Sequence, residues 1–275
     1  MIKRFIPEWR IPILMYHQID VTPANSVFPS MYIVPDEFER QMRYLYFKEY
    51  RVLSLDAFVK KVENKGRLHH RTVIITIDDG FKSAYTYAFP ILKRYNFKAT
   101  VFLIADLINK TNEWLQKKGE PTCEMLSEDQ IKEMAEYGID FGAHTCTHPD
   151  LTRIPPEVAK REIFESKRKI ENLLETSIIS FCYPYGNFND TIKQMVIEAG
   201  FKCACAAHGH TKADGYDLFS LERIVMLPGD SIEFRLKISG YYSWLINLHL
   251  PSIGLIAYFR RKHTKKHKAV VNLAN

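Results

Sequence analysis

Short apolar runs alternate with segments of helical periodicity along most of the chain, and this alternation constrains the fold more than any other feature. Eight β-branched or apolar runs predict strands, at residues 13–16, 51–53, 73–77, 99–104, 139–142, 178–183, 201–206 and 222–226. Six segments with apolar residues three and four apart predict helices, at residues 35–47, 55–63, 84–95, 127–137, 156–174 and 190–199. Such alternation indicates a parallel sheet, and about seven or eight units predict an α/β barrel, closed or distorted.

Polar side chains follow several of the predicted strands, at the edge where a parallel barrel builds its active site. Asp78 and Asp79 come directly after the run Thr-Val-Ile-Ile-Thr-Ile, and His17 and His144 follow two other strands. Arg223 lies within the last predicted strand. Because the carboxyl ends of parallel strands meet at one edge, we expect these five side chains to lie close together.

Two histidines four residues apart, His144 and His148, have the spacing of many metal sites. Two histidines and one carboxylate form a common open metal site that keeps a position for water. Neighbouring strand residues point to opposite sides, so one of Asp78 and Asp79 can bind the ion while the other takes a proton. Cys146, between the histidines, is either a third ligand or, as we expect, a packed side chain.

The net charge of +6 is concentrated near the C-terminus. Residues 260–268 carry six lysines and arginines and no acid, so the rest of the chain is electrically balanced. A balanced body argues against nucleic-acid binding. The five cysteines are an odd number, and the N-terminal residues show no secretory signal pattern, which favours reduced thiols and a cytoplasmic location.

Three motifs in order resemble the polysaccharide deacetylase family, also called the NodB homology domain or carbohydrate esterase family 4. They are Thr-Ile-Asp-Asp-Gly at 76–80, His-Thr-Cys-Thr-His at 144–148 and Tyr-Pro-Tyr-Gly at 183–186. Residues 85–103 also read like family sequence, and Leu-Met-Tyr-His-Gln-Ile at 14–19 is typical of a subgroup with an extra N-terminal strand. The resemblance covers roughly residues 11–238.

The resemblance implies a distorted (β/α)7 barrel of the NodB type that hydrolyses acetyl groups on sugars with a divalent metal. Zinc is the expected ion, and the same ligands would accept cobalt, nickel or manganese. The resemblance implies that Asp78 is the catalytic base and that Asp79, His144 and His148 are the metal ligands. It also implies that the Tyr185 N–H donates to the oxyanion and that Pro184, Tyr185 and Gly186 form a turn bordering the substrate.

Two features depart from the family pattern. Many members begin the third motif with an arginine that orients the base, but Cys182 stands before Tyr183 here, and we expect Arg223 to replace that arginine. The family's usual histidine acid has no obvious counterpart. His17 is our candidate because it ends a strand, and His208 and His210 are the alternatives.

The C-terminal residues 239–275 form a separate tail after a catalytic domain at 1–238. Residues 241–259 contain no charged side chain but include Pro251, Asn247 and His249, and the basic run follows at once. This pattern predicts a helical tail that lies at a membrane surface, packs against the barrel or, least expected, spans the bilayer. A membrane position would bring the enzyme to an N-acetylated saccharide on a lipid carrier.

Two other functions fit parts of the sequence. A barrel glycosidase also uses paired carboxylates, but its two groups come from different strands and flank the bond, whereas Asp78 and Asp79 are neighbours. A catalytically silent glycan-binding protein would keep the fold and lack the general acid. A metal-dependent hydrolase that removes N-acetyl or related acyl groups from a sugar, glycan or lipid-linked saccharide fits best.

Overall fold

A curled parallel sheet surrounded by helices forms the body of the protein, as predicted. The computed structural model describes residues 11–66, 68–207, 217–229 and 233–239. Its strands are β1 (Ile13–Tyr16), β2 (Gln18–Ile19), β3 (Tyr32–Ile33), β4 (Arg51–Leu53), β5 (Thr72–Ile77), β6 (Thr100–Leu103), β7 (Asp140–Ala143), β8 (Ser180–Cys182), β9 (Cys203–Cys205) and β10 (Ile224–Val225). The α-helices are α1 (Pro35–Phe47), α2 (Leu55–Glu63), α3 (Phe89–Arg94), α4 (Glu113–Gln116), α5 (Glu128–Tyr137), α6 (Pro156–Leu174), α7 (Asp190–Glu198) and α8 (Glu233–Lys237).

Seven strands follow one another through the sheet in the order β10, β1, β5, β6, β7, β8, β9, and every pairing is parallel. β4 pairs with the first half of β5. A single bridge joins Cys205 of β9 to Leu221, and the chain continues from there into β10 beside β1. The sheet thus curls round and meets itself through this short segment, which confirms the distorted seven-stranded barrel of the NodB type.

Alternate residues of each strand divide the core into two layers. Val73, Ile75 and Ile77 of β5 belong to the large cluster between sheet and helices, whereas Ile74 packs with Phe102 in a second cluster inside the barrel. All six residues of β5 are buried, because helices cover the outer face and the curled sheet covers the inner one. The continuous apolar run in the sequence follows from that two-sided burial.

All eight predicted strands are confirmed, with ends that differ by a residue or two. α5 begins with a capping box between Ser127 and Gln130, and Gly138 ends it in the left-handed region. The helix predicted at 84–95 begins instead as a π-helical turn at Ala84–Ala88. Pro90 has no N–H to donate four residues back, which favours this irregular start. The short elements β2, β3, α4 and α8 were not predicted.

The tail predictions fall outside the part of the chain that the structure describes. Within the described ranges, no helix combines the length and the apolar character needed to cross a bilayer. The apolar run 241–259 and the basic run 260–268 lie beyond residue 239, so their helical character and the domain boundary at 238 stay predictions.

Candidate active site and metal centre

The candidate site lies where the inward-facing positions of four strands reach the carboxyl end of the barrel. In β5 the inward register passes through Ile74 and Thr76 to Asp78, because strand side chains alternate. The same alternation takes β1 to His17, β7 to His144 and β8 to Cys182. Four chemically active side chains therefore meet above the apolar barrel interior.

Asp78 and Arg223 form a buried, two-pronged ion pair. The Arg223 guanidinium donates to Asp78 Oδ1 at 2.6 Å and to Oδ2 at 2.7 Å, and both side chains are at most 3% exposed. Burial by itself raises the pKa of Asp78, but the charge and hydrogen bonds of Arg223 outweigh it and hold that pKa well below its usual value. Asp78 is thus a carboxylate in a fixed orientation, and the expected position of Arg223 is confirmed.

Four further groups hold Arg223 in place. Its guanidinium donates to Thr76 Oγ1 at 3.1 Å and to Ala206 O at 3.3 Å, and it lies 5.6 Å from the centre of the Phe102 ring. Cys182 Sγ accepts from the same guanidinium at 3.1 Å. The cation therefore stays satisfied inside the barrel without approaching Asp79.

A change in backbone conformation orients the Asp79 side chain. With φ at +72°, Asp79 leaves the strand in the left-handed region, and Gly80 follows at +77°. The turn brings Asp79 Oδ1 to 3.4 Å from His144 Nε2 and 3.5 Å from His148 Nε2. The two adjacent aspartates consequently serve different partners, Asp78 an arginine and Asp79 two histidines.

Asp79, His144 and His148 fit one divalent ion. The two Nε2 atoms are 3.1 Å apart, so the three donor atoms are separated by 3.1 to 3.5 Å. Ligands at zinc distances and tetrahedral angles lie about 3.3 Å from one another. Burial lowers the pKa of His148 to about 3, which leaves its imidazole neutral as a ligand must be. These separations and donor types match an open three-ligand site.

The Cys182 carbonyl orients one ligand. His144 Nδ1 lies 2.8 Å from Cys182 O. Since a carbonyl only accepts, Nδ1 carries a proton, which leaves Nε2 as the ring atom that faces Asp79 and would bind a metal. A second group, Asp78, His144 and Cys182, also has converging donor atoms. The Arg223 cation already occupies both oxygens of Asp78 and contacts the Cys182 sulfur, which disfavours a dication there.

Glu162 of α6 holds the histidine loop. Its carboxylate accepts from the N–H groups of Cys146 and Thr147, at 2.8 and 2.9 Å, and from Thr147 Oγ1 at 2.8 Å. Thr145 Oγ1 accepts from the N–H of His148 at 2.9 Å. These bonds bring both histidines to one side. Cys146 is buried and is absent from both donor groups found in the described residues, in line with packing.

The third motif forms a tight turn beside His148. Tyr185 has φ of +59°, and its ring lies 4.8 Å from the His148 ring in an edge-on arrangement. Gly186 has φ of +71°, and a Cβ there would meet Ala207 atoms at 2.5 Å, so only glycine fits. Pro184 has no N–H, and the Gly186 N–H donates to Tyr183 O at 2.9 Å. The Tyr185 N–H is therefore the donor that this turn can offer to a ligand.

Trp114 and Lys118 complete the rim on the connection between β6 and α5. The Trp114 ring lies 5.4 Å from the His148 ring, which also contacts the Tyr185 ring. Lys118 Nζ donates to Tyr185 Oη at 3.3 Å. No motif or periodicity in the sequence indicates that Trp114, Lys118 or Glu162 belongs to a site, so none of the three was predicted.

His17 reaches the site from the end of β1. Its Nε2 atom lies 4.0 Å from Asp78 Oδ2, and its side chain is 23% exposed, so it faces both the Asp78 carboxylate and solvent. The other acid candidates, His208 and His210, lie outside the described residues. All the predicted site residues that are described lie in this one region.

Comparison with known proteins identifies the family. The family model for polysaccharide deacetylase matches residues 65–204. A poly-β-1,6-N-acetyl-D-glucosamine N-deacetylase from Staphylococcus epidermidis is 33% identical over 228 residues, which span 80% of this chain and 76% of that protein.

Solved structures agree with this match. The Streptococcus pyogenes deacetylase PplD, solved with acetate, has a TM-score of 0.71 and 31% identity, and the match covers 85% of this chain and 99% of that one. A polysaccharide deacetylase from Bacillus cereus, BC0361, has a TM-score of 0.69 and 26% identity over 83% of this chain and 68% of its own. The chain therefore belongs to the polysaccharide deacetylase family, as its three motifs predicted.

Proposed function

We propose that the protein is a divalent-metal-dependent N-deacetylase that removes acetyl groups from a polysaccharide containing N-acetylglucosamine. The observation that carries this proposal is the adjacency of an arginine-paired carboxylate, Asp78, to three converging ligand atoms on Asp79, His144 and His148. Metal-assisted amide hydrolysis needs both groups side by side.

Asp79, His144 and His148 would hold the ion, with zinc as the default. A bound divalent ion supplies two effects, polarisation of the acetyl carbonyl and a lower pKa for a nearby water. The remaining steps fall to side chains and backbone of this chain.

Asp78 acts as the general base. Arg223 keeps it ionised and points its carboxylate, while each oxygen retains a lone pair for the proton of the attacking water. The water then adds to the acetyl carbon, and the carbonyl oxygen takes the negative charge. The Tyr185 N–H donates to that oxygen, and the neighbouring Pro184 and Gly186 hold the turn in place.

His17 acts as the general acid. Its Nε2 atom lies 4.0 Å from the Asp78 carboxylate, so both groups can reach one scissile bond. Protonation of the leaving nitrogen by His17 breaks the carbon–nitrogen bond and yields acetate and a free amine. His17 therefore supplies the acid that the sequence motifs lack.

The substrate class is suggested by relatives. The Staphylococcus epidermidis protein is named for poly-β-1,6-N-acetyl-D-glucosamine, and the Streptococcus pyogenes deacetylase was solved with acetate. The rings of Trp114 and Tyr185 both lie next to His148, and they support a sugar ring at the rim because aromatic faces bind the apolar faces of sugars. We take N-acetyl as the cleaved group in preference to other acyl groups.

Location and membrane contact rest on the sequence alone. We propose a cytoplasmic protein whose residues 241–268 meet an anionic membrane surface, where a lipid-linked saccharide would serve as substrate. Sedimentation with vesicles containing anionic lipid tests this, with the full chain compared against a chain ending at residue 240. Equal binding of both chains would overturn the membrane proposal and leave the deacetylase proposal standing.

Metal analysis combined with acetate release tests the main proposal. We expect near-stoichiometric zinc in the wild type, loss of zinc in the His144→Ala/His148→Ala variant, and acetate release from a β-1,6-linked N-acetylglucosamine oligomer. Asp78→Asn should keep the metal and lose the activity. Absence of zinc after incubation with the ion, or acetate release by Asp78→Asn at the wild-type rate, contradicts the mechanism. Metal binding without acetate release would favour the silent glycan-binding alternative.

A further inference from the structure

Lys118 lies at the edge of the proposed catalytic centre. Its ammonium donates to Tyr185 Oη at 3.3 Å and lies 5.1 Å from the centre of that ring, while Tyr185 in turn contacts His148. Within the described ranges, no carboxylate lies within salt-bridge distance of Lys118. Other lysines of the same region do find acids, such as Lys82 with Glu124 and Lys169 with Asp106.

The environment of Lys118 makes this arrangement costly without a partner. Its side chain is partly buried, and that burial lowers the pKa of the ammonium. Tyr185 Oη is a neutral acceptor and satisfies only one of the three ammonium protons. An anion arriving at the rim would satisfy the others.

The segment that carries Lys118 is firmly held. The Lys118 N–H donates to Leu115 O at 2.9 Å at the end of α4. Two residues later, the buried Glu120 carboxylate accepts from the Val27 and Phe28 N–H groups, at 2.9 and 3.0 Å, and from Tyr32 Oη at 2.7 Å. Lys118 is therefore presented from a fixed position, as a binding group should be.

The charges around the proposed catalytic centre also favour an anionic ligand near Lys118. Arg223 neutralises Asp78, so a dication held by Asp79 and the two histidines would leave the centre with net positive charge. Lys118 adds to that charge at the entrance. A cationic entrance attracts and orients anionic groups.

We propose that Lys118 is a specificity residue that binds an anionic group, a carboxylate or a phosphate, on the sugar next to the N-acetylated one. The natural substrate is then an acidic glycan in which a charged residue neighbours the acetamido sugar. This inference rests on the proposed function, because it assigns the substrate class of the same site.

Matched probes test the proposal. Three tetrasaccharides alternate N-acetylglucosamine with glucose, with glucuronic acid or with glucose 6-phosphate, and differ only in the anionic group. The measured quantity is the ratio of kcat/KM on each anionic probe to kcat/KM on the neutral probe, followed by acetate release with the zinc-supplemented full chain. A direct bond between an ammonium and an anion predicts a wild-type ratio of about ten.

Three variants separate binding from a structural role. Lys118→Gln should bring the ratio close to one, Lys118→Arg should retain most of it, and Lys117→Gln, at the exposed neighbour, should leave it unchanged. A wild-type ratio near one, or an equal loss on all three probes in Lys118→Gln, overturns the proposal, since a residue that merely supports Tyr185 affects every substrate alike. A high ratio with only one anionic probe identifies the group as carboxylate or phosphate.

The two proposals can fail separately. If the wild type releases no acetate from any probe, the proposed function fails. Calorimetric binding of the same probes to Asp78→Asn, with and without Lys118→Gln, then decides the anion preference on its own. Equal affinities for all three probes there would refute the role of Lys118.

Discussion

Replacing Arg223 by methionine removes the buried cation that faces Asp78, and the structure determines the size of the effect. Both side chains are at most 3% exposed, and their two nitrogen–oxygen contacts of 2.6 and 2.7 Å place the charge centres about 4 Å apart. At an effective dielectric constant near 20, that separation gives an attraction of about 4 kcal/mol. Loss of one partner from a buried pair costs a similar amount, about 3–5 kcal/mol.

A double-mutant cycle measures this attraction directly. Urea unfolding of the wild type, Arg223→Met, Asp78→Asn and the double variant, all in chelator, gives the free energy of unfolding of each protein. Arg223→Met should lower the unfolding midpoint by about 2 M urea. The double variant should be far more stable than the sum of the single losses implies, because neither charge is left alone.

The coupling energy decides the outcome. A value of about 4 kcal/mol supports a dry pair that fixes the orientation of the base. A value below about 1 kcal/mol would match an exposed pair and would refute the argument that Arg223 keeps Asp78 ionised and aligned. The coupling energy between Asp78 and a lysine in the Arg223→Lys variant should fall between these two values, because an ammonium cannot form the two-pronged contact.

Two further predictions concern the supports of the site, and a third concerns a buried carboxyl at the start of β7. Glu162→Ala should weaken zinc affinity about tenfold or more, measured by chelator competition, because the histidine loop loses three hydrogen bonds, whereas Glu165→Ala on the same helix should not. Gly186→Ala should destabilise the protein by about 3 kcal/mol more than Gly229→Ala, since both have positive φ but only Gly186 lacks room for a Cβ; equal losses would contradict the packing argument. Asp140→Asn should stabilise the protein by about 1 kcal/mol at pH 7, because burial raises the pKa of this carboxyl and Oδ2 has no partner in the described residues. Because the pKa of Asp140 is higher in the folded than in the unfolded protein, the wild type loses stability as pH rises from the unfolded pKa through the folded one. The gain in melting temperature of Asp140→Asn should therefore vanish near pH 4. A gain that does not depend on pH would refute this explanation.

Periodicity and motif spacing were enough to predict the architecture and the central residues. The apolar run of β5 indicates a strand buried on both faces, and its end places Asp78 and Asp79 at the active edge. The spacing of His144 and His148 predicts a shared ion, and their donor atoms do converge. These features are local, so a single segment carries all the information that they need.

Other parts of the site depend on contacts between distant segments. Glu162, Trp114 and Lys118 stand in segments without a motif, and only the packing of α6 and of the connection after β6 brings them to His148 and its loop. No rule based on neighbouring residues could have selected them.

The sequence by itself determined which side chains face into the barrel, because the alternation along each strand requires only local backbone geometry. The tertiary structure alone decided the distances and orientations at which these side chains meet their partners. Arg223 meets Asp78 across 145 residues because β10 returns to pair with β1, and Asp79 turns to the histidines because its backbone enters the left-handed region at the end of β5. The geometry of these contacts depends on closure of the whole barrel, which no local pattern records.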